Sequence, residues 1–309
     1  MACAAVLLAA GGAPARPAVR QPLQYLALGD SVAAGEGLPR ADDRLGRICH
    51  QSRGAYPFLV RRELAQAGSF VRLLNLACSA ATSSEVFTSS QRGLGGGVVA
   101  AQLHRVGRLR PGVITITVGL NDLRFDRVLE RCLIPTFSSL GTAASMRRRC
   151  LSSGPSIDRG LTHVRLKLGR ILTRLRASYP GAHIFVTGYY EPWPPTGSRP
   201  LAACRREHGA LVASLLTLAS ADGAMNALRG WQARLNATLR AVARSHRAVF
   251  VSLTDAFAGH EFCARKEWVV FPTVTTLASF AAFHPTAAGQ RRIASLVTAA
   301  IRHARGRRG

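Results

Sequence analysis

The sequence predicts an α/β fold, with a parallel five-stranded sheet, helices on both faces, and one undivided domain over residues 23–303. Three observations lead there. Short runs rich in Val, Ile and Leu recur along the chain, and several stop abruptly on small or polar residues. Amphipathic stretches of helical spacing separate them, the alternation that buries a parallel sheet between helices. No internal repeat and no linker interrupts the rhythm. In open α/β sheets ligands bind outside the carboxyl ends of the strands, so function is expected in the turns that follow them.

The first strand, Tyr25–Leu28, ends at Gly29-Asp30-Ser31, and Val32-Ala33-Ala34-Gly35 follows. An apolar run that meets glycine, an acid and small residues reads as a buried strand turning tightly into a helix. Ser31 then lies beside free helix N–H groups, which favour developing negative charge. On this stretch alone a nucleophile and an ordinary turn or cap serine are equally good readings. Residues 42–52 are polar and loop-like. Tyr56–Ala67 has helical spacing, with Phe58, Leu59, Val60 and Leu64 on its apolar face. A second strand, Val71–Ala77, runs into Cys78-Ser79-Ala80-Ala81-Thr82. Gly93–Gly97 is a flexible loop without dinucleotide-fingerprint spacing or a phosphate-loop lysine, so it receives no ligand. Val98–Leu109 has helical character, and Val113–Val118 is the clearest strand, closed by Gly119-Leu120-Asn121-Asp122.

Further on, the segment holding Cys132 and Cys150 reads as an irregular insertion tied by a bridge. Ile157–Ser178 is a basic amphipathic helix whose stripe of Leu161, Val164, Leu168 and Ile171 suits core packing better than a membrane. A strand over Ala182–Gly188, a Pro-rich loop over Tyr189–Pro200, a helix over Trp231–Ser245, a strand over Ala248–Ser252 and a helix over Ala287–Ala304 complete the chain. The sequon Asn236-Ala237-Thr238 falls within a predicted helix, so Asn236 reads as structural. His260 and Glu261 are adjacent, which points their side chains apart. A structural hydrogen bond near Cys263 suits them better than a metal or acid–base pair.

Composition narrows the class. At 309 residues and 48% hydrophobic content the chain can bury a large core. No apolar run reaches the eighteen or so residues of a spanning helix. Met1–Ala15 is apolar and then small, like the core and cleavage region of a secretory signal without its charged start, and Pro17–Pro22 reads as a linker. Apart from Cys3, six cysteines remain with no C-x-x-C pair: Cys49, Cys78, Cys132, Cys150, Cys204 and Cys263. That suits disulfides and a secreted, extracellular protein better than zinc, although six cysteines allow fifteen pairings. The net charge is +25, carried almost wholly by arginine, with only Lys167 and Lys266 as lysines. Such a field attracts anionic surfaces. Basic patches interleaved with aromatics are missing, so no specific nucleic-acid partner is expected. Arg147–Arg149 and the basic tail of residues 304–309 read as solvated charge.

Ester hydrolysis by serine needs a nucleophile, a base, and donors for the tetrahedral oxyanion. Three strand-end turns hold Ser31, Ala80 and Asn121, offering a hydroxyl, a backbone N–H and a side-chain amide. His284, in Phe283-His284-Pro285-Thr286 before the last helix, can be the base. Taken in order, Gly29-Asp30-Ser31, Cys78-Ser79-Ala80-Ala81-Thr82, Gly119-Leu120-Asn121-Asp122 and His284-Pro285 resemble the blocks of the GDSL (SGNH) hydrolase family, above all its secreted actinobacterial esterase and lipase branch. Cys49-His50-Gln51-Ser52-Arg53-Gly54-Ala55-Tyr56-Pro57 and Phe257-Ala258-Gly259-His260-Glu261-Phe262-Cys263 are similar to that branch too. The resemblance implies a three-layer flavodoxin-like sheet. It implies Ser31 as nucleophile and His284 as base, with an oxyanion hole from the Ser31 N–H, the Ala80 N–H and the Asn121 amide. It further implies the disulfides Cys49–Cys78, Cys132–Cys150 and Cys204–Cys263, no metal, no cofactor, a monomer, and a small-molecule or lipid ester as substrate.

Four departures from the family pattern stand out. Val32 replaces the leucine of the family name. Leu120 and Ala80 replace common glycines, and a positive φ at Ala80 would cost something over about 1 kcal/mol. The triad acid usually lies three residues before the histidine, where this chain has Ala281. The branch then implies a main-chain carbonyl, near Trp268, as the group that orients His284, with Asp255 a weaker candidate. Ala80, Ala281 and the charge also motivate a rival reading, a catalytically impaired module of the same fold that binds anionic cell-wall or lipid surfaces.

Overall fold

A computed structural model describes residues 22–133, 143–193, 202, 204, 206 and 223–307. Its strands are β1 Leu23–Gly29, β2 Val71–Asn75, β3 Gln91–Arg92, β4 Val98–Val99, β5 Val113–Thr117, β6 His183–Thr187 and β7 Val249–Val251. Its helices are α1 Ser31–Ala34, α2 Arg44–Cys49, α3 Tyr56–Gln66, α4 Ser83–Phe87, α5 Phe125–Leu133, α6 Ala143–Leu151, α7 Gly154–Ser178, α8 Ala224–Ser245, α9 Val274–Ala278 and α10 Ala287–Gly306. The main sheet is five-stranded and parallel in the order β2-β1-β5-β6-β7. Helices α3 and α10 cover one face, and α4, α7 and α8 the other. This is the predicted three-layer α/β fold.

The central strands are buried on both sides. All five residues of β5, Val-Ile-Thr-Ile-Thr, are shielded from solvent, as expected of a strand covered by helices on each face. A buried hydroxyl has to find a partner there, and the threonines satisfy one another and two tyrosines. Thr115 Oγ1 lies 2.9 Å from Tyr25 Oη, and Thr117 Oγ1 lies 2.9 Å from Tyr56 Oη and 2.6 Å from Thr187 Oγ1. The polar atoms along the sheet centre are thereby paired without water.

The structure differs from the sequence expectations at several places. Residues 42–52 contain α2, because the Asp43 side chain accepts from Gly46 N at 2.8 Å and caps a helix start. Val98–Leu109 is not a helix. The glycines before it close a β3–β4 hairpin, with Gly93 N donating to Gly97 O at 3.1 Å, and only Gln102–Arg105 forms a 3-10 turn. The segment between Cys132 and Cys150 is helical at both ends, as α5 and α6, while residues 134–142 lie outside the described residues. Helix α8 begins at Ala224 rather than Trp231. The leader and residues 194–200 of the Pro-rich loop lie outside the described residues as well. Among the described residues no helix is long and apolar enough to cross a membrane. All three implied disulfides are formed, Cys49–Cys78, Cys132–Cys150 and Cys204–Cys263.

Asn236 sits within α8, buried, with Oδ1 accepting from Tyr189 N at 2.8 Å and Nδ2 donating to Tyr189 O at 2.9 Å. It fixes the chain beyond β6. His260 stacks on Trp268 at a ring separation of 3.7 Å and lies 2.7 Å through Nδ1 from Lys266 O, a structural role beside Cys263.

At Gly29 the β1 backbone comes very close to β5. Its φ is +143°, and an added Cβ would stand 2.2 Å from Thr117 O. The substitution Gly29→Ala is expected to lower unfolding stability by about 2 kcal/mol or more in chemical denaturation. An unchanged midpoint would contradict this reading of the turn.

Candidate active site

Ser31 opens α1 directly after β1. The Asp30 side chain caps that helix, accepting from Val32 N at 3.0 Å, and Asp30 N donates to Thr117 O at 2.9 Å. Gln102, itself fully buried, brackets Gly29, its Oε1 accepting from Gly29 N at 2.8 Å and its Nε2 donating to Gly29 O at 2.7 Å. The turn is thus held from both sides, and it presents Ser31 at the carboxyl edge of the sheet. Burial pushes the Asp30 carboxyl up to about 7, against hydrogen bonds from Tyr189 Oη and Val32 N that favour its charged form.

Two segments bring His284 to Ser31. A short antiparallel bridge pairs Val269 with Pro285; Val270 N donates to His284 O at 2.8 Å, and Phe283 N donates to Val270 O at 2.9 Å. Then α10 starts, capped by Thr286, and its buried Gln290 spans three elements. Gln290 Oε1 accepts from Tyr56 N at 2.8 Å, and its Nε2 donates to Val32 O at 3.1 Å. The last helix is therefore bolted to the helix that carries Ser31. His284 Nε2 lies 2.8 Å from Ser31 Oγ across 253 residues of sequence.

On its other side the imidazole has no carboxylate. Nδ1 is enclosed and has no hydrogen-bond partner of good geometry among the described residues. The backbone carbonyls of Ala281, Ala282 and Phe280 act on the ring. The Trp268 carbonyl accepts from Thr286 N at 2.8 Å, and no hydrogen bond joins it to His284. Asp255 is exposed and has no hydrogen bond to His284. Burial holds the His284 pKa below the usual histidine range; the Glu36 carboxylate and the loop carbonyls partly offset it. Around neutral pH the ring is uncharged and able to take a proton.

The other two turns converge on the same edge. Cys78–Ala81 is a tight turn, closed by Ala81 N donating to Cys78 O at 3.1 Å, and its third residue, Ala80, has φ +66°. A turn of this hand favours glycine there, so alanine carries the strain that its β-carbon implies. The Cys49–Cys78 bridge, with Ser79 N donating to Cys49 O at 3.0 Å and Gln91 Nε2 donating to Ser79 O at 2.7 Å, braces the turn on both flanks. Asn121 follows β5, and its Nδ2 donates to Ala81 O at 2.9 Å. That bond orients the amide and leaves its second N–H free to point elsewhere. Asp122 accepts from Ser83 N at 2.9 Å and locks the two turns together. Neither the Ser31 nor the Ala80 N–H has an acceptor among the described residues. A hydroxyl paired with an uncharged imidazole, ringed by N–H donors, can attack a carbonyl carbon and hold the resulting oxyanion. Among the described residues no three His, Cys, Asp or Glu side chains converge as a metal site would need.

Sequence reading missed the residues that hold this site. Gln102, Gln290, and the buried pair Glu36 and His50, Oε2 to Nδ1 2.8 Å, are polar groups inside the fold. Gln290 alone left a signal, since it interrupts the apolar face that Ile293, Val297 and Ile301 continue on α10.

In sequence and in fold the chain is similar to known lipases. The model of the GDSL-like Lipase/Acylhydrolase family matches residues 27–292. Lipase 2 of Streptomyces coelicolor is 29% identical over 285 residues, 91% of this chain and 87% of that protein. The lipase of Streptomyces rimosus is 25% identical over 290 residues, 94% of this chain and 90% of that one. Among solved structures, an extracellular lipase of Streptomyces rimosus superposes with a TM-score of 0.65 at 24% identity, covering 90% of this chain and 99% of that chain. A phospholipase A1 of Streptomyces albidoflavus gives 0.63 at 22%, with the same coverage.

Because Ala80 holds a positive φ, Ala80→Gly is expected to raise stability by about 1 kcal/mol while keeping the donor. Paired thermal melts and ester turnover check it. A less stable or inactive variant would show that the turn needs the methyl group.

Proposed function

The chain belongs to the GDSL-like Lipase/Acylhydrolase family and is a carboxylic ester hydrolase, and from that premise we propose that Ser31 is its nucleophile and His284 its general base. The observation that carries the proposal is the 2.8 Å contact between Ser31 Oγ and His284 Nε2. Ser31 Oγ attacks the ester carbonyl as Nε2 takes its proton. The oxyanion is held by the N–H groups of Ser31 and Ala80 and by the Asn121 amide. The proton on Nε2 passes to the departing alcohol, leaving an acyl-serine. Water, deprotonated by the same nitrogen, then releases the acid and restores the hydroxyl. The family membership argues against the inactive binding module.

For substrate, the supporting feature is the apolar character of the loop that ends in His284, where Leu277 is 42% and Phe280 52% exposed. An apolar lip beside the base suits acyl chains longer than acetyl, as in a lipid ester. Export is supported by the three disulfides and the signal-like start of the sequence, and a similar Streptomyces enzyme is extracellular. The chain acts outside the cell, as a monomer.

An anionic surface remains part of the proposal, with a definite position. Arg240, Arg244 and Arg247 line an open groove at the end of α8, and Arg165, Arg170 and Arg174 line another along α7. Both helices lead into the amino ends of β6 and β7, the edge of the sheet opposite Ser31. Contact there would tether the enzyme and leave the active edge free.

Turnover of p-nitrophenyl esters over a series of acyl lengths tests the chemistry. Ser31→Ala and His284→Ala are expected to fall to background, and Asn121→Ala to lose about 10²- to 10³-fold in kcat. Equal rates in wild type and the first two variants would sink the assignment. At low salt, lipid-ester hydrolysis in vesicles doped with anionic phospholipid should exceed that in neutral vesicles and converge with it as salt rises. Equal rates at low salt would remove the anionic partner.

A further inference from the structure

We propose that Glu36 is a positioning residue for His284, its buried carboxylate supplying the negative charge that Ala281 cannot. The inference rests on the reading of Ser31 and His284 just given.

Glu36 closes the turn that begins at Ser31. Its N–H donates to Ser31 O at 2.9 Å, one helical turn beyond the nucleophile. The next residue, Gly37, lies directly against the histidine loop, where an added Cβ would stand 3.5 Å from His284 Cβ and 3.4 Å from Ala281 O. Glu36 is therefore fixed at one end to the main chain of the nucleophile and packed, through its neighbour, on the loop of the base. Its side chain does not reach water: Glu36 and His50 are each 3% exposed.

A buried carboxylate costs several kcal/mol of lost hydration unless it is paired, and even a paired one adds little to stability. His50 Nδ1, 2.8 Å away, supplies the partner. His50 itself sits at φ +54° beside the Cys49–Cys78 bridge, which anchors the pair beside the oxyanion turn. A buried ionisable pair at the wall of a reactive site is more readily explained by chemistry than by stability.

That chemistry follows from the base. When Ser31 gives up its proton, His284 becomes an imidazolium, and Nδ1 has no carboxylate to face. The groups acting on it are Ser31 Oγ, the carbonyls of Phe280, Ala281 and Ala282, and the Glu36 carboxylate. In an enclosed site a nearby charge acts far more strongly than it would in water. Glu36 acts through this field, with no direct hydrogen bond to His284. The group hydrogen-bonded to the Glu36 carboxylate is His50, through Nδ1 at 2.8 Å.

The test is the pH profile of kcat/KM for Glu36→Gln, which keeps the shape and still accepts from His50. Removing the charge destabilises the imidazolium, so the acid limb is expected to move to lower pH by at least about half a unit. At the pH optimum kcat should fall by about threefold or more. Glu36→Asp, which restores the charge, should return the limb toward the wild-type position. If Glu36→Gln fails to fold, Glu36→Gln combined with His50→Gln replaces the buried Glu36–His50 pair by an amide pair and carries the same measurement. An acid limb that stays in place in a folded variant overturns the proposal. His284→Ala measured alongside separates the two failures: a His284→Ala enzyme as fast as wild type would overturn the base assignment itself.

Discussion

At the carboxyl end of β1 the backbone of Gly29 lies so close to Thr117 that no side chain fits between them, and the amide side chain of Gln102 pairs with both the N–H and the carbonyl of Gly29. That close approach sets the direction in which the chain leaves the sheet. Asp30 then caps a helix of four residues, too short to persist without tertiary support, and Ser31 is held at its first position. The neighbouring turns register against this fixed point. The turn after β2 is tied by a disulfide and the turn after β5 by Asn121 and Asp122. The last helix is tied by Gln290. Rigid placement matters, because oxyanion donors act by being in position before the charge develops.

The electrostatics divide the acids by role. Asp30, Glu36 and Asp122 are all buried near the site, yet each is bound differently. Asp30 is held by Tyr189 and a backbone N–H, and burial raises its pKa toward neutrality. Asp122 is held by Ser83, and burial raises its pKa too. Glu36 lies 2.8 Å from His50 Nδ1 and acts on the base, whereas Asp122 has His163 at 3.7 Å. With alanine at the usual acid position, the ring is acted on by the backbone carbonyls of the histidine loop and by the Glu36 carboxylate.

Much of this was legible in the sequence. The five strands and their closing turns could be read because an apolar run that stops on Gly-Asp-Ser, Cys-Ser-Ala or Gly-Leu-Asn has few other structural meanings. The strain at Ala80 was legible for the same reason. The histidine could be placed by resemblance, but not its surroundings: the carbonyls of residues 280–282 act on the ring, and there backbone conformation rather than side-chain identity decides. Helix α2 hid behind polar residues because its Asp43 cap resembles a loop. The residues 98–109 misled because an apolar pair in a hairpin and a helical face look alike over so short a stretch. The buried braces were least legible. Gln102 meets Gly29 from 73 residues away, and Gln290 meets Val32 from 258, and no local pattern records such meetings.

The central claim is that Ser31 is the group activated by His284. Incubation with a fluorophosphonate, followed by digestion and mass spectrometry, reads this directly. One phosphonyl adduct is expected, on the peptide carrying Ser31 in the wild type, with labelling slowed by orders of magnitude in His284→Ala. An adduct on another serine, or labelling of Ser31 at an unchanged rate without His284, would contradict it.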